Sequence, residues 1–231
     1  MPRDPSLRYA LPVRQSRSGE TLERLLVAAE AVLAEDGLDG ATVPVIARRA
    51  GVSVGIVYRR FPDKDALFRA VYERFFGSSR EKNRGGLDPS RWEGQSLSQI
   101  ATALITGMVE GYREKRGLIR ALVRYADTHP DPGFRRRADR LNAEAFGAMM
   151  ALLASRKSEV IHPEPEAAIE FALLLVAHAV RGFVLNEGPA KARFAGSDAR
   201  MAREMVRAFL AYLGSPPLPR GRRSSKTRAA R

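Results

Sequence analysis

The side chains with the clearest chemistry are the Tyr and Arg residues of a short segment around Gly55. Val57 and Phe61 lie four residues apart, so they share one face of a short helix and can pack on a neighbouring helix. The other faces of that helix carry Val54, Gly55, Tyr58, Arg59 and Arg60. A short helix with an apolar back and outward Tyr and Arg is typical of the recognition helix of a helix-turn-helix, whose side chains bind phosphates and base edges.

A second short helix must precede this one and position it. Thr42 stands at the expected N-cap, and Pro44 is tolerated in the first turn. Gly51 ends this helix, and Ser53 can cap the recognition helix with its hydroxyl. The apolar residues of the preceding helix recur at helical spacing as Val43, Ile46, Ala47 and Ala50. Pro62 then stops the recognition helix, so the two helices form a compact pair.

Residues 46–64 resemble the amino-terminal signature of the tetracycline-repressor-like (TetR) transcriptional regulators. That signature runs Ile-Ala, two variable residues, Ala-Gly-Val-Ser, a variable residue, Gly-Thr, a hydrophobic residue, Tyr, two residues, Phe, and a Lys three positions later. The matching segment reads Ile46-Ala47-Arg48-Arg49-Ala50-Gly51-Val52-Ser53-Val54-Gly55-Ile56-Val57-Tyr58-Arg59-Arg60-Phe61-Pro62-Asp63-Lys64. The resemblance implies an all-α fold with an N-terminal three-helix helix-turn-helix DNA-binding domain and a C-terminal helical bundle for ligand binding and dimerisation.

Two positions depart from the signature. Ile56 stands where the family usually has Thr, so a hydroxyl contact to DNA is lost and an apolar contact, for example to a thymine methyl, is the available substitute. Arg60 stands where His is common, which keeps a phosphate-binding role and makes the charge independent of pH. Lys64 lies in the first turn of the helix that Asp63 caps, where its charge opposes the helix dipole. It is either a solvated surface Lys or, as in the resembled family, a contact to the DNA backbone.

We expect the DNA contacts to divide into two sets. Tyr58, Arg60 and Lys64 should bind phosphates, whereas Arg59 should lie toward base edges. Val54, Gly55 and Ile56 should share that base-edge position. The full set of expected DNA-binding residues is Thr42, Ser53, Val54, Gly55, Ile56, Tyr58, Arg59, Arg60 and Lys64.

The composition agrees with a nucleic-acid partner and excludes several other classes of protein. The net charge of +13 over 231 residues favours a polyanion. The chain has no Cys, which rules out disulfides, thiolate catalysis and Cys-bound metal. No apolar run approaches the length of a membrane span, and the amino terminus lacks the apolar core of a signal peptide. We therefore expect a cytoplasmic protein without membrane contact.

Charge, Pro and Gly divide the chain into parts. Residues 1–18 are expected to form a flexible basic arm, followed by the helix-turn-helix domain over residues 19–78. A Gly-, Ser- and Asn-rich connection over residues 77–90 leads to the ligand-binding and dimerisation domain at residues 91–214. Residues 215–231, which contain six Lys and Arg and no acidic residue, are expected to form a basic disordered tail. The tail is either a solvated end or a loose phosphate-binding segment.

The last two helices predict a second copy of the chain as partner. The penultimate helix is apolar nearly all round from residue 167 to residue 185, so it should be covered on every side. The last helix carries two apolar stripes, Met201, Met205 and Phe209 on one and Val206, Leu210 and Leu213 on the other. One bundle can cover only one stripe, so we expect Phe209 or Leu210 to lie in a two-fold interface. The resembled family forms a four-helix dimer contact from these helices.

A largely apolar pocket is expected in the second domain. Its expected lining comes from several helices and comprises Met108, Tyr112, Leu122, Tyr125, Phe146, Met149, Leu174 and His178. For any one of these residues, plain core packing is the competing interpretation. With His178 and Arg181 turned inward among them, the pocket would suit a small lipophilic effector that has one polar or anionic end.

Catalysis has no support in the sequence. His129, His162 and His178 stand isolated, with no His-Glu pairing at metal-binding spacing, no Gly-rich phosphate loop and no nucleophile elbow. We therefore expect no enzyme activity, no metal and no cofactor. The sequence favours a homodimeric repressor that binds a palindromic operator through the major groove and is released by its effector. The competing hypothesis is a basic nucleic-acid-binding protein without sequence preference, which would not distinguish one operator from bulk DNA.

Overall fold

The computed structural model describes Tyr9, residues 16–185 and residues 197–215, without the side chains of residues 16–18 and 79–84. Within these ranges the secondary structure is helical throughout, which confirms the predicted fold class. The α-helices are α1 (Ser16–Gly40), α2 (Val43–Ala50), α3 (Val54–Tyr58), α4 (Lys64–Gly86), α5 (Leu97–Glu114), α6 (Arg116–Thr128), α7 (Pro132–Ala154), α8 (Pro165–Leu185) and α9 (Asp198–Tyr212). The predicted arm and tail lie outside the described residues, apart from Tyr9, residues 16–18 and Ser215.

Left-handed glycines and carboxylate caps set the helix boundaries around the helix-turn-helix. Gly37 (φ 68°) interrupts α1 before its last turn. Gly51 (φ 67°, ψ 36°) ends α2, a conformation that a residue with a Cβ adopts only at a cost. Asp63 caps α4, because its Oδ1 accepts a hydrogen bond from the Ala66 N–H at 2.7 Å. These short-range signals place α2, α3 and the start of α4 in the order that the sequence predicts.

The first hydrophobic cluster unites α1 to α4 with α6 and the start of α7. Its buried residues include Leu25, Leu26, Leu33, Ile46, Val57, Phe61, Leu67, Val71, Leu118, Ile119, Leu122 and Phe134. We call α1 to α4 the head. Since α6 buries its apolar side in the same cluster, the core of the head is completed by a helix that belongs to the second half of the chain.

The contact between α1 and α6 is closest at Gly117. A Cβ at this position would lie 2.1 Å from the carbonyl oxygen of Ala34, nearer than any real side chain allows. Farther along the same pair of helices, Arg124 donates a hydrogen bond to Asp39 at 3.2 Å. Gly117 therefore lets α6 lie directly against the backbone of α1, and a larger residue would separate the two helices.

The second hydrophobic cluster contains α5, α8, α9 and the end of α7. Its central helix, α8, has 21 residues and is long and apolar enough to cross a membrane by length and composition alone. The expectation that no run reaches that length is therefore wrong. Ile169, Leu173, Val180 and Val184 of α8 are nevertheless buried among the neighbouring helices. In this fold α8 acts as a core helix of the second domain.

α4 continues as one helix of 23 residues to Gly86. The Gly-, Ser- and Asn-rich residues 77–86 are therefore helical, and the connection to α5 is shorter than the sequence predicts. It contains the 3-10 turn Pro89–Trp92, in which the Trp92 indole N–H donates to the Gly86 carbonyl at 2.8 Å. The head is thus joined to the second domain by a helix and a hydrogen-bonded turn.

Candidate nucleic-acid interface

α2 and α3 form the helix-turn-helix, and two buried side chains anchor α3. Val57 and Phe61 lie in the first hydrophobic cluster beside Ile46 of α2. Val54 and Tyr58 point away from that cluster, and Tyr58 is 50% exposed. This short helix therefore has the inward and outward faces that the four-residue spacing predicts, and its outward face is open to a partner.

The residues expected to bind DNA lie at the amino-terminal ends of α2 and α4 and in or beside α3. Six of them are exposed, namely Thr42, Ser53, Val54, Gly55, Tyr58 and Arg59. Ile56, Arg60 and Lys64 are partly buried. The structure thus keeps all nine residues at the surface of the head, and the buried residues of α3 are those that the sequence assigns to packing.

The hydroxyls of Thr42 and Ser53 do not cap the helices that follow them. Both residues have the extended backbone of an N-cap, but neither side chain accepts a hydrogen bond from the next helix. The prediction that the Ser53 hydroxyl caps α3 is therefore wrong. α3 instead begins with a backbone hydrogen bond of 2.9 Å from the Ile56 N–H to the Ser53 carbonyl. Both hydroxyls are exposed, so they can donate to a phosphate oxygen.

Arg59 and Lys64 are held in different ways. Arg59 follows α3 and is exposed, and its backbone N–H donates to the Gly55 carbonyl at 3.1 Å. The Lys64 ammonium lies 3.4 Å from the carbonyl oxygen of Leu38 and 4.9 Å from the centre of the Phe68 ring. These contacts hold the ammonium at the junction of α1 and α4. A hydrogen bond of 3.4 Å is long, so a phosphate oxygen can compete for the same ammonium.

Arg48 on α2 was missing from the residues expected to bind DNA. It is exposed, as is Pro44 one turn earlier, whereas the apolar residues of α2 are buried. Arg49 differs, because its guanidinium donates two hydrogen bonds of 2.6 Å to Glu35. Arg48 could have been identified from the sequence, because the apolar periodicity that predicts the buried side of α2 also places Arg48 on the opposite, outward side.

The residues expected to line a pocket divide among three places. Leu122 and Tyr125 pack with the first hydrophobic cluster. Met108, Phe146 and Met149 pack with the second cluster, and Tyr112 contacts both. Leu174 and His178 are exposed on α8. Burial raises the pKa of the Tyr112 hydroxyl, and the charge of Arg181 lowers it in part.

The expectation that His178 and Arg181 turn inward is wrong. The ring Nδ1 of His178 lies 2.8 Å from the carbonyl oxygen of Leu174 on the outer face of α8. Arg181 is exposed as well, and its guanidinium donates to Asp127 at 2.8 Å. Both side chains lie on the outside because the buried stripe of α8 is supplied by Ile169, Leu173, Val176 and Val180.

A polar network connects α4 to the corner between α6 and α7. Asp65 accepts hydrogen bonds from the Tyr125 hydroxyl at 2.5 Å and from Arg69 Nε at 2.6 Å. The ring Nε2 of His129 lies 2.8 Å from the same carboxylate. The Asp131 N–H donates to His129 Nδ1 at 3.0 Å, so Nε2 carries the proton of the neutral ring and faces Asp65.

The network holds its carboxylates in the charged form. Burial raises the pKa of Asp65, but the hydrogen bonds from Tyr125, His129 and Arg69 outweigh burial and bring the pKa below its ordinary value. The hydrogen bond from Arg69, followed by that from the Gly133 N–H, lowers the pKa of Asp131. At neutral pH, Arg69 therefore faces two carboxylates that are both ionised.

One face of α8 leaves large apolar side chains exposed. Phe171, Leu174, Leu175 and His178 are spaced as one helical face, and Phe171 and Leu175 are 50% and 54% exposed. Tyr212 of α9 extends this face, with its ring centre 5.6 Å from that of Phe171. We call these five residues the apolar face.

The expected interface residues of α9 are not exposed. Phe209 and Leu210 are both buried within the single chain, together with Leu213. The expectation that one of the two stripes of α9 stays uncovered is therefore wrong. Both stripes are covered because α9 lies in a groove between α5 and α8, and the uncovered stripe belongs to α8.

Two family models match this chain. Residues 25–71 match the bacterial regulatory proteins of the tetR family, and residues 96–213 match the tetracyclin repressor-like C-terminal domain. The nucleoid occlusion factor SlmA of Actinobacillus pleuropneumoniae is 29% identical over 92 residues, which are 40% of this chain and 44% of that protein. The HTH-type transcriptional repressor KstR of Rhodococcus jostii is 36% identical over 87 residues, 37% of this chain and 41% of that protein. The chain thus spans less than half the length of these curated relatives.

Solved structures share the fold over most of the chain. The transcriptional regulator FadR of Bacillus subtilis, in complex with stearoyl-CoA, superposes with a TM-score of 0.63 at 13% identity and covers 82% of this chain and 98% of its own. The TetR family transcriptional regulator PfmR of Thermus thermophilus superposes with a TM-score of 0.59 at 16% identity and covers 85% and 100%. At such identities the likeness concerns the fold alone.

Proposed function

Because this chain belongs to the tetracycline-repressor family, whose members are DNA-binding transcriptional regulators and not enzymes, we propose that it is a homodimeric cytoplasmic repressor released from a palindromic operator by a lipophilic effector. The observation that carries the proposal is the open outward face of α3. Its helix is fixed in the core of the head by Val57 and Phe61, while Tyr58 and Arg59 are exposed.

In the proposed complex, α3 enters the major groove. Arg59 reads base edges together with Val54, Gly55 and Ile56, because these residues occupy the outward side of the helix and the turn after it. Tyr58, Arg60 and Lys64 bind phosphates, and the Thr42 and Ser53 hydroxyls add neutral donors on either side. The exposed position of Arg48 adds a further cation on α2. The base-edge contacts would therefore determine sequence preference, and the phosphate contacts would determine overall affinity for DNA.

The apolar face supports the homodimer. Exposed Phe, Leu and Tyr side chains grouped on one helical face are rare on monomers, and a two-fold axis pairs such a face with itself. Ala208 and Ala211 lie beside Tyr212 on the exposed side of α9 and allow close approach of a second chain. A dimer would hold the two heads about 34–36 Å apart, as two successive major grooves require.

The proposed effector site lies where Tyr112 contacts both hydrophobic clusters. Met108, Phe146 and Met149 of α5 and α7 also pack with the second cluster, and the two Met side chains can adapt to an apolar ligand. The FadR structure that shares this fold holds stearoyl-CoA, which makes long acyl groups the first class of effector to test. The effector lowers DNA affinity only through its preference for the arrangement that does not fit the operator, and a few kcal/mol of preference suffices.

The experiment that tests this proposal is selection of bound sites from random DNA by the purified protein. We expect one enriched palindrome, and we expect its affinity to fall when saturated acyl-CoA thioesters of increasing chain length are added. Binding without an enriched sequence would contradict the proposal and favour a basic protein that binds nucleic acid without sequence preference. If a palindrome is enriched but no acyl-CoA changes the affinity for it, the proposed operator binding would be supported and the proposed acyl effector would be contradicted.

A further inference from the structure

α4 carries three charged residues that all face α6, α7 or the corner between them. Asp65, Arg69 and Glu73 are spaced four residues apart, so they form one line along the helix. Each of them has a partner across the contact between the head and the α6–α7 region, which we call the joint. Asp65 pairs with Tyr125 and His129, Arg69 with Asp131, and Glu73 with Arg137. Glu73 is buried, and Arg137 Nη2 donates to it at 2.7 Å. The head is therefore attached to α6 and α7 by a line of alternating charges.

Arg69 occupies the centre of this line. Its guanidinium donates to Asp65 at 2.6 Å and to Asp131 at 2.7 Å, and only 20% of its side chain is exposed. The ring of Phe134 lies 5.2 Å from the guanidinium carbon on one side, and the ring of Tyr9 lies 6.0 Å away. One carboxylate belongs to α4 and the other to the corner that precedes α7. A single planar group therefore bridges the head and this corner.

The two kinds of contact across this joint do different things. The apolar contact of α6 with α1 holds the two helices together, but hydrophobic burial is itself non-directional. The guanidinium fork of Arg69 donates in fixed directions within one plane, so it constrains rotation as well as distance. A Lys at this position would keep the charge and lose the fixed geometry.

We propose that Arg69 is a positioning residue that fixes the orientation of the head relative to α6 and α7 through its bridge between Asp65 and Asp131. That this orientation matters for binding a palindrome rests on the proposed function. The bridge itself requires neither DNA nor an effector, so its mechanical role can be tested on the protein alone.

The first experiment measures the distance between spin labels on the head and on α7. Because the chain has no Cys, Val27→Cys and Ala151→Cys give two unique and exposed attachment points. Labelled protein is exchanged into an excess of unlabelled protein, so that each measured distance lies within one subunit. Arg69→Lys should broaden the distance distribution about twofold while helix content and melting stay near those of the parent chain.

Two further variants separate positioning from general damage. Asp131→Asn keeps an oxygen for the Gly133 N–H that caps α7 and removes the charge that faces Arg69, so it should broaden the distribution as Arg69→Lys does. Arg74→Lys is the matched control, because Arg74 also lies on α4 and binds two carboxylates, Glu23 and Glu30, but both belong to the head. Unchanged widths in Arg69→Lys and Asp131→Asn, or equal broadening in Arg74→Lys, would overturn the inference.

The second experiment uses the operator obtained by selection and versions in which one half-site is moved by one base pair. The parent chain and Arg74→Lys should bind the moved sites at least about tenfold more weakly than the operator, whereas Arg69→Lys should lose most of this discrimination. Retained discrimination in Arg69→Lys would contradict a positioning role. If selection yields no operator, the proposed function fails, and the distance measurement still decides whether Arg69 positions the head.

Discussion

α3 and the outer face of α8 both expose large side chains, but they are supported in different ways. α3 has five residues and depends on Val57 and Phe61 for its attachment to the head. α8 has 21 residues and buries eight of them, so it would stay in place without its outer face. The exposed groups also differ, since α3 presents Tyr and is followed by Arg, whereas α8 presents Phe and Leu.

This difference favours two different kinds of partner. A phosphate backbone and base edges require donors and positive charge on a helix small enough to enter a groove. An interface between two copies of an apolar face requires a large surface of complementary shape. A long helix that is buried on its other side holds such a surface rigidly. The head therefore faces a polyanion, and the apolar face suits another copy of the chain.

The largest effect is expected from placing a charge in the apolar face. Leu175→Glu should convert the proposed dimer to monomers, because each buried and unpaired carboxylate costs about 3–5 kcal/mol and a two-fold axis would place two of them in the interface. Sedimentation measures the dissociation, and binding to the palindrome should be lost with it. Val27→Glu is the matched control, since Val27 is an exposed apolar residue on α1, outside this face. A dimeric Leu175→Glu protein would place the interface elsewhere.

Removing the anchor of α3 should have the next largest effect. Phe61→Ala deletes a fully buried ring from the first hydrophobic cluster and should lower the free energy of unfolding by about 3–5 kcal/mol. Denaturant unfolding measures this loss, and DNA binding should weaken even where the protein remains folded. Tyr58→Ala, on the exposed side of the same helix, should change stability by less than about 0.5 kcal/mol. Equal destabilisation by both variants would contradict the two-faced arrangement of α3.

Arg59 provides the test of sequence reading. Arg59→Ala should cost about 1–3 kcal/mol at one or two operator positions and relax the base preference there. A binding titration on the operator and on single-base variants of it measures the change. An equal loss of affinity for the operator and for scrambled DNA would show that Arg59 contacts the backbone instead.

Lys64 should have the smallest and least selective effect. Lys64→Ala should weaken the operator and scrambled DNA by similar factors and reduce the slope of log affinity against log salt by about 0.9 per subunit. Its contacts to the Leu38 carbonyl and the Phe68 ring are weak, so the free energy of unfolding should change little. An unchanged salt slope would show that the ammonium stays at the junction of α1 and α4 and does not bind phosphate.

The sequence predicts α3 well because its signals are local. Gly51, the spacing of Val57 and Phe61, and the capping Asp63 act over a few residues, and the structure contains each of these features. The all-helical fold follows from apolar periodicity in the same way. The Ser53 hydroxyl is the exception. Ser often caps a helix through its side chain, but here only the backbone carbonyl of Ser53 accepts a hydrogen bond from α3.

The features that sequence reasoning missed depend on contacts between distant residues. His129 looks isolated along the chain, yet its ring meets Asp65, 64 residues earlier. The uncovered stripe lies on α8 and not on α9 because helix crossing decides which of two apolar stripes is buried. The i, i+4, i+8 spacing of Asp65, Arg69 and Glu73 is visible in the sequence, but it is equally typical of a solvated helix face.

The unbroken course of α4 has a mechanical consequence. A helix of 23 residues that rises 1.5 Å per residue is about 34 Å long. If such a rod pivots near Gly86, a tilt of only about 6° carries the end that bears Lys64 through about 3.5 Å, which is close to the 3.4 Å rise of one base pair. A tilt of only a few degrees in α4 would therefore be enough to shift the reading surface by one step of the double helix.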